Sequence, residues 1–207
     1  MTPGTERLIL RSTVTSPFGR KVRIAAQVLG LGERIALVAA DTLDETDTLR
    51  AQNPLGKMPC LLLPDGTAIY DSGVIIEYFQ ELAGSPRLIP ERGLDRFRAL
   101  TLARLADGIT EAALLLVYEG RFRDADKYSE RWLTHQRGKI ARALGTFENS
   151  PPATHADIVS IGLACALGYL DWRNPIEWRG EHPHLTDWLI AFAKSEPAFA
   201  RTAPDAA

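Results

Sequence analysis

Apolar positions in the first eighty residues switch repeatedly between two periods. Arg7 to Arg11 carries Leu8, Ile9 and Leu10 and predicts a short buried strand. Phe18, Val22, Ala25, Ala26 and Leu29 then recur at helical spacing, with Gly30 or Gly32 as C-cap. Ile35 to Ala39 predicts a second strand, so strand, helix and strand imply a right-handed parallel crossover. Thr42 to Gln52 is polar and irregular, a loop with a short helix. Cys60 to Leu63, the turn Pro64-Asp65-Gly66-Thr67 and Ala68 to Tyr70 predict a β-hairpin. Ser72 is expected to cap a helix whose apolar face carries Ile75, Ile76, Phe79 and Leu82, ending at Gly84.

The order β-α-β, loop, β-β-α is that of a thioredoxin-like domain with a mixed sheet, assigned to residues 1–84. Residues 85–93 hold two prolines and read as a linker. Residues 94–207 carry helical patterns alone, so the fold class is α/β plus all-α, the second part a helical bundle. Helices are expected over Leu94 to Glu119, Asp126 to Glu148, Ile158 to Leu170 and Leu185 to Lys194. Ile158 to Leu170 is almost wholly apolar and should be central. Before it, Thr154 as N-cap and Asp157 three residues on predict a capping box.

Composition excludes several classes. The chain has 207 residues, a 45% hydrophobic and 24% charged content and a formal net charge of -2, ordinary values for a soluble globular protein. No Lys/Arg run forms a basic stripe, so nucleic acid is not expected. The longest apolar runs, such as Ala112 to Tyr118, are too short to span a bilayer, so no membrane partner is expected. Met1 to Arg7 lacks the features of a secretory signal, and the expected location is cytoplasmic. Cys60 and Cys165 lie apart in apolar surroundings and read as core thiols, with a redox role for Cys60 as the alternative. No metal is expected: His182 and His184 flank Pro183 as a surface turn without further ligands. Gly30-x-Gly32 follows a helix and is no dinucleotide loop, and Gly56-Lys57-Met58 is no P-loop. No serine-histidine-carboxylate triad is evident.

Three segments of the first domain carry chemistry. Thr15-Ser16-Pro17-Phe18 opens the first helix, Asn53-Pro54-Leu55-Gly56-Lys57-Met58-Pro59 enters the hairpin, and Asp71-Ser72 opens the next helix. Helix starts offer free N–H groups and a positive dipole end, suited to an anion. Together the segments suggest a pocket for a small, multiply charged, peptide-like ligand. Read locally, each has a plain structural alternative: Ser16 an N-cap, Pro59 a proline at a strand start, Lys57 a solvated lysine, Asp71-Ser72 a turn and cap.

These motifs, with the Thr154-x-x-Asp157 box and the two-domain order, resemble the cytosolic glutathione transferases along essentially the whole chain, most of all bacterial serine-type members. The resemblance implies an enzyme that activates glutathione, a cosubstrate, as a thiolate and conjugates it to a small apolar electrophile in detoxification. Ser16 would be the catalytic hydroxyl, with Thr13 or Thr15 as alternatives. A cis Met58-Pro59 bond would present the Met58 backbone to the cysteinyl moiety, and Lys57 would face a ligand carboxylate. Ser72 would bind the γ-glutamyl carboxylate and Asp71 the ammonium, although many members carry Glu at that place. Phe18 belongs to the same helix start. The electrophile would lie between the domains, against Thr13 to Thr15 and the long helix near Leu115 and Tyr118. The Thr154/Asp157 box would be structural. The resemblance also implies a homodimer. Alternatives are a glutathione-dependent isomerase or dehalogenase, and a non-catalytic ligand-binding or protein-interaction protein on the same fold.

Overall fold

The computed structural model describes residues 7–204; the Met1 to Arg7 segment therefore lies, except for Arg7, outside the described residues. The chain divides into two compact units, Met1–Glu91 with Ala198–Ala207, and Arg92–Pro197.

In the first unit, β1 (Leu8–Arg11), α1 (Pro17–Val28) and β2 (Ile35–Val38) follow in order. After the short helix α2 (Leu49–Gln52) come β3 (Cys60–Leu62), β4 (Ala68–Ile69) and α3 (Ser72–Ala83). The sheet order is β2-β1-β3-β4, with β1 parallel to β2 and antiparallel to β3, and β3 antiparallel to β4. This is the mixed sheet of a thioredoxin-like domain. Helices α1 and α3 pack together, burying Val22, Ile24, Ala25, Ile75, Ile76 and Phe79. A smaller cluster of Ala40, Leu49 and Cys60 seats α2, with Met58, Leu62 and Ala68 against it.

Helix ends show where local chemistry chose between neighbours. Gly30, at φ 73°, lies just past the end of α1, where the left-handed conformation favours glycine. Gly84 ends α3 in the same way. The N-cap of α3 is Asp71, not Ser72: Asp71 Oδ1 accepts from Gly73 N–H at 2.9 Å and Val74 N–H at 3.4 Å, and Ser72 is the first helical residue.

The second unit contains α4 (Gly93–Phe122), α5 (Glu130–Asn149), α6 (Ile158–Arg173) and α7 (Pro183–Ser195). α6 lies against α4 and α7, and its residues from Ile158 through Leu167 are all buried. The helix expected from Asp126 starts at Glu130 because Ser129 caps it, while Ala125–Lys127 forms a separate 3-10 turn. The expected capping box also shifts by one step. Asp157 is itself the N-cap, accepting from Val159 and Ser160 N–H at 2.8 Å each, and Ser160 Oγ accepts from Asp157 N–H at 2.9 Å. His182, expected in a surface turn, is buried, its Nδ1 2.8 Å from the Trp178 carbonyl oxygen. A further short helix, α8 (Pro197–Arg201), leads into the terminal segment grouped with the first unit. Among the described residues, no helix is long and apolar enough to cross a membrane.

Candidate functional site

Strand register brings the three segments to one end of the sheet. Arg11, the last residue of β1, pairs with Cys60, the first of β3, and Leu61 pairs with Ile69 at the end of β4. Ser12 to Ser16, Met58-Pro59 and Tyr70 to Ser72 therefore leave or enter the sheet side by side.

Ser16 is the N-cap of α1, and its Oγ accepts from Gly19 N–H at 3.1 Å. A serine hydroxyl that accepts in this way keeps its own proton for donation. The preceding turn is closed by Ser16 N–H donating to the Thr13 carbonyl at 3.3 Å. The Thr13 and Thr15 hydroxyls lie 3.1 Å apart, and Thr13 Oγ1 donates to Met58 Sδ at 3.5 Å. Phe18 is half-buried on the same first turn, 5.8 Å from Lys21 Nζ by its ring centroid. Gly19 leaves no room for a side chain: a Cβ there would lie 2.0 Å from Ser12 Oγ.

The Met58-Pro59 bond is cis, as the family resemblance implies. Asn53 shapes the loop before it, its Nδ2 donating to the Lys57 carbonyl at 2.8 Å and its Oδ1 accepting from Leu55 N–H at 3.1 Å. The motif alone assigns Asn53 no role, yet an asparagine before proline and glycine is the signal for such a side-chain-closed turn. Lys57 is exposed, and Met58 is half-buried. The Tyr70-Asp71 bond is also cis. At the start of α3, Ser72 is buried, and among the described residues its N–H and hydroxyl donate to nothing. With Asp71 occupied on the next two amides, an anion arriving at this helix end meets the Ser72 donors.

A buried arginine behind the site has no motif to announce it in the sequence. Arg11 Nη1 donates to Thr48 Oγ1 and Gln52 Oε1 at 2.8 Å each, and its Nη2 to Asp47 Oδ1 at 2.6 Å and to the Ala39 carbonyl at 3.2 Å. N–H donors from Asp41 and Leu49, then Arg11, hold the Asp47 carboxyl below the usual range. Arg11 so ties α2, and with it the Asn53 loop, to the end of β1.

Tyr118 is not brought to these segments by the sheet; it lies on α4 in the second unit. There its ring meets Phe122 edge-on at 5.5 Å, and the Arg121 guanidinium lies 5.2 Å from its centroid. Cys60 is fully buried, and burial pushes its thiol pKa up, against a smaller lowering by Arg11. Among the described residues no group of three or more His, Cys, Asp or Glu could hold a metal ion.

The fold is that of a thioredoxin-like unit, with hydroxyl donors at two helix starts and a cis-proline segment before β3. A family profile described as glutathione S-transferase, N-terminal domain, matches residues 15–82. The uncharacterized GST-like protein YibF of Escherichia coli (strain K12) is 33% identical over 201 residues, covering 94% of this chain and 98% of that protein. A glutathione transferase family member from Pseudomonas fluorescens Pf-5, crystallised with bound glutathione, has a TM-score of 0.89 at 42% identity, over 95% of this chain and 98% of that one. Its structure with bound S-(propanoic acid)-glutathione has a TM-score of 0.86 at 42% identity, over 95% and 99%. The chain belongs to the glutathione S-transferase family.

Proposed function

We propose that this protein is a glutathione transferase: it binds glutathione on the first unit, stabilises its thiolate and transfers the sulfur to a small apolar electrophile. The observation that carries the reading is the Ser16 hydroxyl, which accepts from Gly19 N–H and so keeps its proton for an anion at the start of α1. The Thr13 and Thr15 hydroxyls are engaged with each other, which favours Ser16 among the three. The Pseudomonas fluorescens relative, which binds both glutathione and a thioether derivative of it, supports the ligand assignment.

In this reading the γ-glutamyl carboxylate sits on the Ser72 N–H and hydroxyl, and Asp71 faces the ammonium. The cysteinyl moiety pairs with the Met58 backbone beside Pro59 as an added strand would. Lys57 faces the glycyl carboxylate, Phe18 walls the first turn, and Tyr118 is assigned to the electrophile. The thiol gives its proton to water, and the thiolate is held by the Ser16 O–H and the α1 dipole. Sulfur then forms the bond to the electrophilic carbon. The displaced pair leaves with a leaving group or moves into a conjugated carbonyl that water protonates. No metal enters these steps. A homodimer in the cytoplasm, acting in detoxification, is the setting we assign.

The test is a thiolate-absorbance titration of glutathione bound to the wild type and to Ser16→Ala. A charge-assisted hydrogen bond contributes about 1.5–3 kcal/mol, so the bound thiol should titrate about one to two units below the free value near 8.5. Ser16→Ala should abolish most of that shift while glutathione still binds. A bound thiol that titrates normally in the wild type would favour the binding-protein reading instead.

A further inference from the structure

Arg20, Arg23 and Gln27 stand at i, i+3 and i+7 on α1, one face of the helix, and all three hold the C-terminal segment. Arg20 Nη2 donates to the Phe199 carbonyl at 2.7 Å, its Nε lies 3.4 Å from Thr202 Oγ1, and its guanidinium stands 4.0 Å from the Phe199 ring centroid. Arg201 Nε donates to Gln27 Oε1 at 2.9 Å. Thr202 closes the segment on itself, its N–H and hydroxyl donating to the Ala198 carbonyl at 3.1 and 2.7 Å. Ala198 and Thr202 are buried.

Arg23 does something more. Its Nη2 donates to the Thr202 carbonyl and to the Val14 carbonyl, each at 3.0 Å. One Nη carries two hydrogens, so both bonds form at once. Val14 lies inside the turn that Ser16 N–H closes onto the Thr13 carbonyl. A single nitrogen therefore joins the turn presenting Thr13, Thr15 and Ser16 to the C-terminal segment. Arg20 and Gln27 already anchor that segment to α1. The Arg23 bond to Val14 adds a restraint on the turn itself.

We propose that residues 198–204 form a strap that sets the position of the hydroxyl-bearing turn, with Arg23 as a positioning residue for thiolate stabilisation. This rests on the reading of Ser16 given above. A donor aimed at sulfur works only when held within a few tenths of an ångström of its productive place. The turn lies between β1 and α1, outside the regular bonding of either.

The experiment uses full-length Arg23→Gln, Arg23→Lys and Arg20→Gln. In Arg23→Gln, glutathione affinity should stay within about threefold while the bound thiol pKa rises by about one unit. Conjugation below neutral pH then falls about tenfold and converges with the wild type at alkaline pH. Arg23→Lys should recover part of the shift. Arg20→Gln, which loosens the strap at Phe199, should move the profile in the same direction by less. Amide hydrogen exchange at Thr15 and Ser16, measured without glutathione, should quicken in Arg23→Gln and Arg20→Gln. An unchanged pH profile and unchanged exchange in a folded Arg23→Gln would overturn the proposal. So would quickened exchange in Arg23→Gln with none in Arg20→Gln, since the strap would then be idle. Should Arg23→Gln not fold, Arg23→Lys is read by the same criteria. A wild-type thiol that titrates normally refutes the role of Ser16 alone, because the exchange measurement decides the strap independently.

Discussion

Replacing Asp157 by alanine tests the structural anchor of the second unit. Its carboxylate takes two first-turn amides of α6, Val159 and Ser160, at 2.8 Å each. An N-cap contributes about 1 kcal/mol, and a negative charge at a helix start about 0.3–1 kcal/mol more. The exposed His155, 3.5 Å from Asp157 Oδ2, adds little. The Ser160 hydroxyl keeps its bond from the residue-157 amide after the change, so the expected loss is about 2 kcal/mol. Thr154→Val is the contrast. Its hydroxyl bonds to none of the described residues, and only its carbonyl is used, accepting from Ser195 Oγ at 2.9 Å. That change should stay within about 0.5 kcal/mol. All four tryptophans lie within Arg92–Pro197, so intrinsic fluorescence in a urea titration reports this unit. With a slope of about 2 kcal/mol per molar, Asp157→Ala should lower the midpoint by about 1 M, and Thr154→Val by less than about 0.25 M. Equal losses would show that the helix is capped from Thr154, and the assignment of the box to Asp157 and Ser160 would fail.

Two other outcomes follow from Glu148 and Cys60. Glu148, at the end of α5, accepts from His184 N–H and Leu185 N–H at 2.9 Å each, so it caps α7 from another helix. Burial pushes its pKa up, but these donors and His184 outweigh it and leave the group below its ordinary value. The folded state thus prefers the carboxylate. Its contribution is present above the unfolded value, about 4.3, and is lost as pH falls through the lower folded value. Glu148→Gln should cost about 1 kcal/mol at pH 7, measured by urea unfolding, and the gap to the wild type should close as pH is lowered from about 5 to about 3. A gap independent of pH refutes the cap. Cys60 should resist a neutral alkylating reagent at about pH 7.5 by more than about a hundredfold relative to the unfolded chain, followed by mass spectrometry. Burial both hides the thiol and keeps it protonated. Labelling at the rate of a free thiol would restore the redox alternative.

The first unit was legible because its signals are local. Leu8 to Leu10, the helical spacing from Phe18 and the Pro64 to Thr67 turn each settle their own element, and strand order then follows. The candidate site shares this legibility, since two of its parts are helix starts and the third a proline at a strand. What pattern could not decide was phase at a helix start. Asp71 and Ser72 are both good caps, and the choice fell to Asp71, whose Oδ1 reaches Gly73 and Val74. Likewise Thr154-x-x-Asp157 and Asp157-x-x-Ser160 are nested boxes of identical spacing. Only the second has both bonds, since Ile158 is the first residue to enter the helix.

The groups that hold the site in place were illegible for a different reason. Arg11 reaches Asp47, Thr48 and Gln52, 36 to 41 residues away, and Arg20 and Arg23 reach Phe199 and Thr202, 179 to 182 residues away. In sequence each is an arginine at the edge of an apolar pattern, the usual mark of a solvated face. In the fold Arg11 and Arg20 are buried, and their donors satisfy backbone carbonyls or side chains that no helix or strand ladder serves. A planar guanidinium with five donors can tie two or three segments at once, which a lysine or a hydrophobic contact cannot do with the same geometry. The division is physical: short motifs at the sheet's end carry the candidate donors, and long-range arginines bond the segments around them. If Ser16 holds the thiolate as proposed, its chemistry should respond to substitutions that never touch glutathione, with Arg23→Gln expected to show the largest effect because Arg23 bonds both the Val14 and the Thr202 carbonyl.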